Sequence, residues 1–265
     1  MTQPADEVQE LPELLADLAH SHDASTPPDA IADGLAAMVL HPDYPCLGAR
    51  SVFNRERATV VVLERLATEE STTTLVEALT RFGRDTDRAG GFASLVAVFR
   101  AADVADEAEF EELLWRQLEQ LHEVDHQPWD PRVSDDPGSP HFAFSVGGTA
   151  FFVVGLHPHA SRIARRTPLP TLVFNLHEQF EELRASDRFD RMRDTIRRRD
   201  TELQGSLNPM VEDHGRGSEA RQYSGRVVPS GWEAPVTFEA DPETKPQTDS
   251  ESDSKSDSET EEEAP

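Results

Sequence analysis

The sequence predicts an α+β fold: a single domain with a mainly antiparallel sheet of about five strands, flanked by helices and followed by a disordered acidic C-terminal tail. Three observations carry this expectation. Short Val- and Phe-rich runs at Thr59–Leu66, Phe92–Phe99, Phe142–Val146, Ala150–Leu156 and Thr171–Asn175 have strand rather than helix length. Gly147-Gly148 joins two of these runs as a hairpin, which demands antiparallel pairing. Between the runs lie stretches whose apolar residues recur at helical spacing.

In chain order, Glu7–His20 places Val8, Leu11, Leu14, Leu15 and Leu18 on one helical face. The STPPD stretch Ser25–Asp29 breaks that helix and offers a cap for a second one, Ala30–Leu40. HPDYPCLGAR (41–50) is punctuated by Pro and Gly and predicts a loop. Thr72–Phe82 is helical, and Gly90-Gly91 turns the chain into the second strand. Glu107–Val124 is the clearest helix, with Phe110, Leu113, Leu114, Leu118 and Leu121 repeating beside Trp115. Gln127–Pro140 holds four prolines and reads as a loop. Leu176–Ala185 and Phe189–Arg199 are helical, whereas Gln204–Trp232 is Gly- and Ser-rich with little periodicity. A stretch of that kind inside a domain is usually functional. From Val236 the chain is too poor in apolar residues to fold. The expected division is therefore a helical extension over 1–26, a main domain over 27–235 and a tail over 236–265.

The formal net charge of the 265-residue chain is −26. The tail contributes −9 of this, so the body is acidic as well. Both lysines, Lys245 and Lys255, sit in the tail, and the other cations are 23 arginines. Acidity with almost no lysine points to a halophilic protein, whose self-repulsion is screened by salt. It argues against nucleic acid or an anionic membrane as partner, since phosphate contacts need cations. The region from His157 to Arg226 is the exception, with 13 arginines against 11 acids. Those arginines either line an anion-attracting cleft or pair with acids on neighbouring helices. The single cysteine, Cys46, excludes an intramolecular disulfide and a cysteine zinc cluster. The N-terminus lacks a signal pattern and no apolar run reaches membrane-spanning length, so a soluble cytoplasmic protein is expected.

Phe151–Arg184 is the stretch richest in candidates. Two apolar runs each end on a histidine, His157 and His177, with Arg162, Arg165 and Arg166 between them. Imidazoles at strand ends with cations nearby suit an anionic cofactor or substrate, and they also suit plain strand capping. Either histidine could ligate a metal or haem iron if its second nitrogen is held. His159 and the pair His122/His126 are weaker metal candidates, the latter because i, i+4 histidines share a helix face. Arg198, Arg199, Asp200, Asn208-Pro209, Glu219, Arg221, Gln222, Tyr223 and Arg226 form a polar series suited to a charged, planar ligand. Gly205, Gly215, Gly217 and Gly225 would let backbone approach such a ligand. Cys46 is either a thiolate or a small buried residue. No GxSxG, P-loop or GxGxxG occurs.

Several blocks resemble the YqcI/YcgG family: PCLGAR at 45–50, GGFASLVAVF at 90–99, FEELLWRQLEQLHEVD at 110–125, FVVGLHPHASRIARR at 152–166, FNLHEQFEELR at 174–184, and the run from IRRRDTELQGSLNP to SEARQYSGR at 196–226. The resemblance covers about 41–236. Some members are described as haem-dependent N-hydroxylases of guanidine compounds, such as the guanitoxin-pathway N-hydroxylase. The resemblance thus implies a haem cofactor, a guanidine or amine substrate and an electron donor. It makes His157 and His177 the haem-ligand candidates and sets Arg162, Arg165 and Arg166 toward the propionates. By the same resemblance Asp200 or Glu219 would hold a guanidinium, and Arg221 or Arg226 its carboxylate. Two positions depart from the family pattern: His159 replaces a smaller residue, and Ala234 stands where many members have cysteine before proline. The expected function is a haem-dependent monooxygenase acting on a guanidine nitrogen. The alternatives are a non-catalytic module binding haem or a small anion, and a hydrolase with a metal on His122 and His126.

Overall fold

The computed structural model describes residues 9–184, 188–210 and 217–238. Its sheet is made of β1 (Ala58–Leu63), β2 (Ser94–Phe99), β3 (Phe144–Val146), β4 (Thr149–Leu156) and β5 (Thr171–Leu176). They lie in the order β1-β2-β5-β4-β3. β1 and β2 pair in parallel because helix α4 (Glu69–Asp85) carries the chain back between them. The other three pairings are antiparallel. At the β3–β4 hairpin Gly147 and Gly148 have φ of 61° and 69°, the two positive values that a tight hairpin turn requires.

β2 is buried along its whole length, and its alternating side chains feed two cores. Leu95, Ala97 and Phe99 face α4 and helix α5 (Glu107–Val124), meeting Leu75, Leu79, Phe110, Leu114 and Leu118. Val96 and Val98 face α1 (Leu11–Ser21) and α2 (Pro28–Leu40), meeting Leu11, Leu15, Ile31, Leu35 and Met38. Helices thus cover both faces of the sheet in three layers. The first helix, expected as an extension, is part of the second core. Asp106 starts α5 by accepting from Ala108 N and Glu109 N, each at 2.9 Å.

The loop expected over 41–50 ends early. Helix α3 (Leu47–Asn54) begins within it, capped by Cys46 Sγ, which accepts from Ala49 N at 3.5 Å. After β5 come α6 (His177–Arg184) and α7 (Arg188–Gln204), then the short α8 (Ala220–Tyr223) against β4. The expected tail boundary also moves. Phe238 is 4% exposed and packs among His122, Trp129, Phe142 and Phe144. The remainder of the acidic tail lies outside the described residues. Among those described, no helix is long and apolar enough to cross a membrane.

Candidate functional site

His157 and His177 each follow a strand, but β4 and β5 are antiparallel. Leu156 is opposite Thr171, and Phe151 is opposite Leu176. The two histidines therefore stand at opposite ends of the sheet, seven residues of strand apart in the register, or roughly 23 Å. One ion cannot be shared between them, and the structure divides the candidates into two groups.

At the His157 end the polar groups are mostly satisfied by one another. The His157 ring is buried, stacked on Phe110 with centroids 4.4 Å apart. Its Nδ1 has no hydrogen-bond partner. Desolvation pushes its pKa down to about 4, against the pull of Glu107, so the ring is neutral. Arg162 Nη2 donates to Asp200 Oδ2 at 2.5 Å and to Ser206 O at 2.9 Å. Arg165 donates to the carbonyls of Gly155, Gln222 and Tyr223 at 3.0, 3.0 and 3.4 Å. Arg166 is exposed and donates through Nε to Ala160 O at 2.8 Å. Arg221 holds the carbonyls of Ser230 and Pro229. Arg226 forks Glu111. These arginines tie the loop after β4 and the segment after α8 to the body. Burial pushes the Cys46 thiol up, which disfavours the thiolate. Gly205 and Gly225 take positive φ, 76° and 84°, while Gly215 lies outside the described residues. His159 is exposed.

The His122/His126 pair does not share a helix face. α5 ends at Val124, and the His122 ring packs edge-on against Trp129 and Phe238. Among the described residues no group of three or more His, Cys, Asp or Glu is placed to hold a metal ion.

The His177 end opens into a cleft of about 370 Å³, whose walls include Asp130, Arg132, His141, His177, Glu178 and Glu181. Asp130 is buried and fixed: its oxygens accept from Arg132 Nε and Nη2 at 2.9 and 2.7 Å and from Ala150 N at 3.2 Å. Burial alone would raise its pKa, but the Arg132 bonds outweigh it and hold the carboxyl below its ordinary value. Glu178 pairs with Arg88 and, at 3.2 Å, with Arg132. His177 Nε2 is 3.4 Å from Glu181, which also pairs with Arg184. His177 Nδ1 is 3.9 Å from Glu219 Oε2 on the buried side. Glu219 is set there by α8, and Tyr223 donates to its Oε1 at 2.8 Å. Burial pushes the Glu219 carboxyl up to about 8 despite that bond, so it is protonated at neutral pH. The cleft thus combines an imidazole and paired charges of both signs, with a buried proton-bearing carboxyl behind the imidazole.

Of the residues singled out from sequence, only His177 and Glu219 meet here. Asp130, Arg132 and His141 come from the proline-rich loop and its end, where only Asp-Pro-Arg at 130–132 hinted at a turn with fixed charges.

The profile of the YqcI/YcgG family matches residues 35–237, most of the chain and both ends of the sheet. The chain belongs to the YqcI/YcgG family. It is 26% identical over 203 residues to the uncharacterized protein YcgG of Bacillus subtilis strain 168, covering 73% of this chain and 80% of that one. It is 26% identical over 162 residues to the uncharacterized protein YqcI of the same organism, covering 59% and 64%. A third relative is DcsA of Streptomyces lavendulae, provisionally named an N(omega)-hydroxy-L-arginine synthase. It is 29% identical over 161 residues, covering 58% of this chain and 60% of DcsA. The chain spans less than two thirds of the length of the latter two relatives. No solved structure matches the chain.

Proposed function

We propose that this protein is a haem-dependent N-hydroxylase of a guanidine compound, such as arginine or a derivative, working in the cleft at His177. The observation that carries the reading is the position of His177. Its Nε2 lies on the side of half-exposed Glu181, and its Nδ1 faces buried Glu219. A metal-binding histidine is typically oriented by a polar partner on its other nitrogen, and the Glu219 carboxyl faces that nitrogen at 3.9 Å. His177 and its backing carboxyl therefore fit an iron ligand through Nε2. His157 has suitable donor chemistry, a neutral ring with an unpartnered nitrogen, but it is closed in beneath Phe110. The name carried by DcsA supports the reaction class.

A bound haem would supply the oxidation chemistry, and the chain supplies position and charge. In the reaction a guanidine N–H becomes N–OH. One oxygen atom of O2 goes to nitrogen and the other leaves as water, with two electrons and two protons from an external donor. A carboxylate such as Glu181 is the natural partner of a guanidinium, which it meets in a two-point fork. This reading places the protein in the cytoplasm, beside a reduced electron carrier.

The test is the absorption spectrum of the protein expressed with added haem and purified at high salt, followed by incubation with arginine, O2 and a reductant. His177→Ala should lose the Soret band, and His157→Ala should keep it. Full haem and an unchanged spectrum in His177→Ala would reject the ligand assignment. Haem binding without any hydroxylated product would favour a non-catalytic haem-binding module.

A further inference from the structure

We infer that Arg132 anchors the α-carboxylate of the ligand, so that the cleft selects a free amino acid over the corresponding decarboxylated amine. The inference rests on the cleft being the guanidine site.

Three observations support it. First, Arg132 is held rigidly. The Asp130 side chain beneath it is 2% exposed and accepts from Nε and Nη2 together, which fixes the plane of the guanidinium. Asp130 itself is pinned by Ala150 N, and its own N–H donates to Ser145 Oγ at 2.9 Å. Second, Arg132 remains open. Its side chain is 60% exposed at the cleft wall. A guanidinium has five N–H groups, and Asp130 and Glu178 engage three of them. The two left over belong to Nη1 and Nη2 and can meet one carboxylate as a fork. Third, the local charges permit an anion there. Glu178 shares its charge between Arg88 and Arg132, and Arg132 neutralises Asp130, so these two carboxylates are matched by two arginines.

The opposite charge appears at Glu181, which also lines the cleft and is 51% exposed next to His177. A ligand with a cationic head and an anionic tail has a partner for each end in the same cleft. The arginines expected from sequence to take a carboxylate, Arg221 and Arg226, are turned to main-chain carbonyls and to Glu111 instead.

The experiment is calorimetric titration of the full chain, as purified and without reductant, using arginine and agmatine as probes. The wild type should bind arginine roughly tenfold or more tightly than agmatine, the worth of one charge-assisted fork. Arg132→Gln should bring the ratio close to one by weakening arginine and leaving agmatine unchanged. Glu178→Gln, which leaves the Asp130–Arg132 fork in place, should keep or widen the preference, and it guards against a folding defect in the first variant. Equal binding of the two probes by the wild type, or a preference that survives Arg132→Gln, overturns the role of Arg132 while leaving guanidine binding intact. Binding of neither probe overturns both the anchor and the guanidine reading of the cleft.

Discussion

Arg226 grips Glu111 at two points, Nε to Oε2 at 2.7 Å and Nη2 to Oε1 at 2.8 Å. The same carboxylate accepts from Ser224 Oγ at 3.0 Å and from Trp232 Nε1 at 2.9 Å. Burial would raise this carboxyl's pKa, but the surrounding donors outweigh it and hold it below the ordinary value. Glu111 belongs to α5, so one carboxylate fastens the segment after α8 to the helical layer. Glu111→Ala should cost about 3 kcal/mol, because it strands a guanidinium and an indole N–H. Urea denaturation measures this, and a loss below about 0.5 kcal/mol, the range of ordinary surface changes, would mean the fork contributes little.

His157 sets a pH dependence. The unfolded ring takes a proton near 6.5, and the folded ring only near 4. Below 6.5 the unfolded state binds more protons, so this residue's contribution to stability is complete above 6.5. It is lost as the pH falls toward 4, by an amount on the order of 3 kcal/mol. His157→Gln should flatten that part of the profile. Because carboxylates titrate nearby, the informative quantity is the difference between wild type and variant across this window. Parallel profiles would show that the ring is not held neutral.

Gly155 has no room for a side chain. A Cβ there would lie 2.6 Å from Phe110 Cε1, 2.8 Å from Leu114 Cδ1 and 2.9 Å from the Tyr223 carbonyl oxygen. The side chains can shift, but the carbonyl also accepts from Arg165 and is less free to move. Gly155→Ala should therefore destabilise by about 1–3 kcal/mol. A thermal melt indistinguishable from wild type would show that α8 yields easily.

The charge of −26 predicts a salt-dependent melt. Exposed carboxylates repel within a Debye length, which shrinks from about 10 Å at 0.1 M to about 3 Å at 1 M salt. The melting temperature should rise between these concentrations. A melt as stable in low salt as in high salt would remove the expectation of a halophilic protein.

Local signals were legible where a residue type dictates its backbone. Gly147-Gly148 announced the hairpin because two positive φ values are needed there. α5 showed in the spacing of Phe110, Leu114, Leu118 and Leu121, all of which are buried. α3 was hidden because its cap is a cysteine and the prolines before it read as loop. Phe238 was hidden because a lone aromatic among acids carries no periodicity, although it fills a space among four other rings. For the site, sequence picked out both histidines as strand ends. It did not show which strands pair, and antiparallel pairing of β4 with β5 is what sends them to opposite ends. Nor did it separate arginines that meet a ligand from those that bind carbonyls, since both uses need the same side chain in the same kind of loop.

Phe238 has a mechanical consequence. Its ring lies nearly flat against Phe142, 6.0 Å between centroids and 10° between planes, and Phe142 lines the cleft. The strongly charged sequence beyond position 238 is thus hitched to the site through a pair of rings. A protein shortened ahead of Phe238 would lose a plug from under the cleft as well as its appendage.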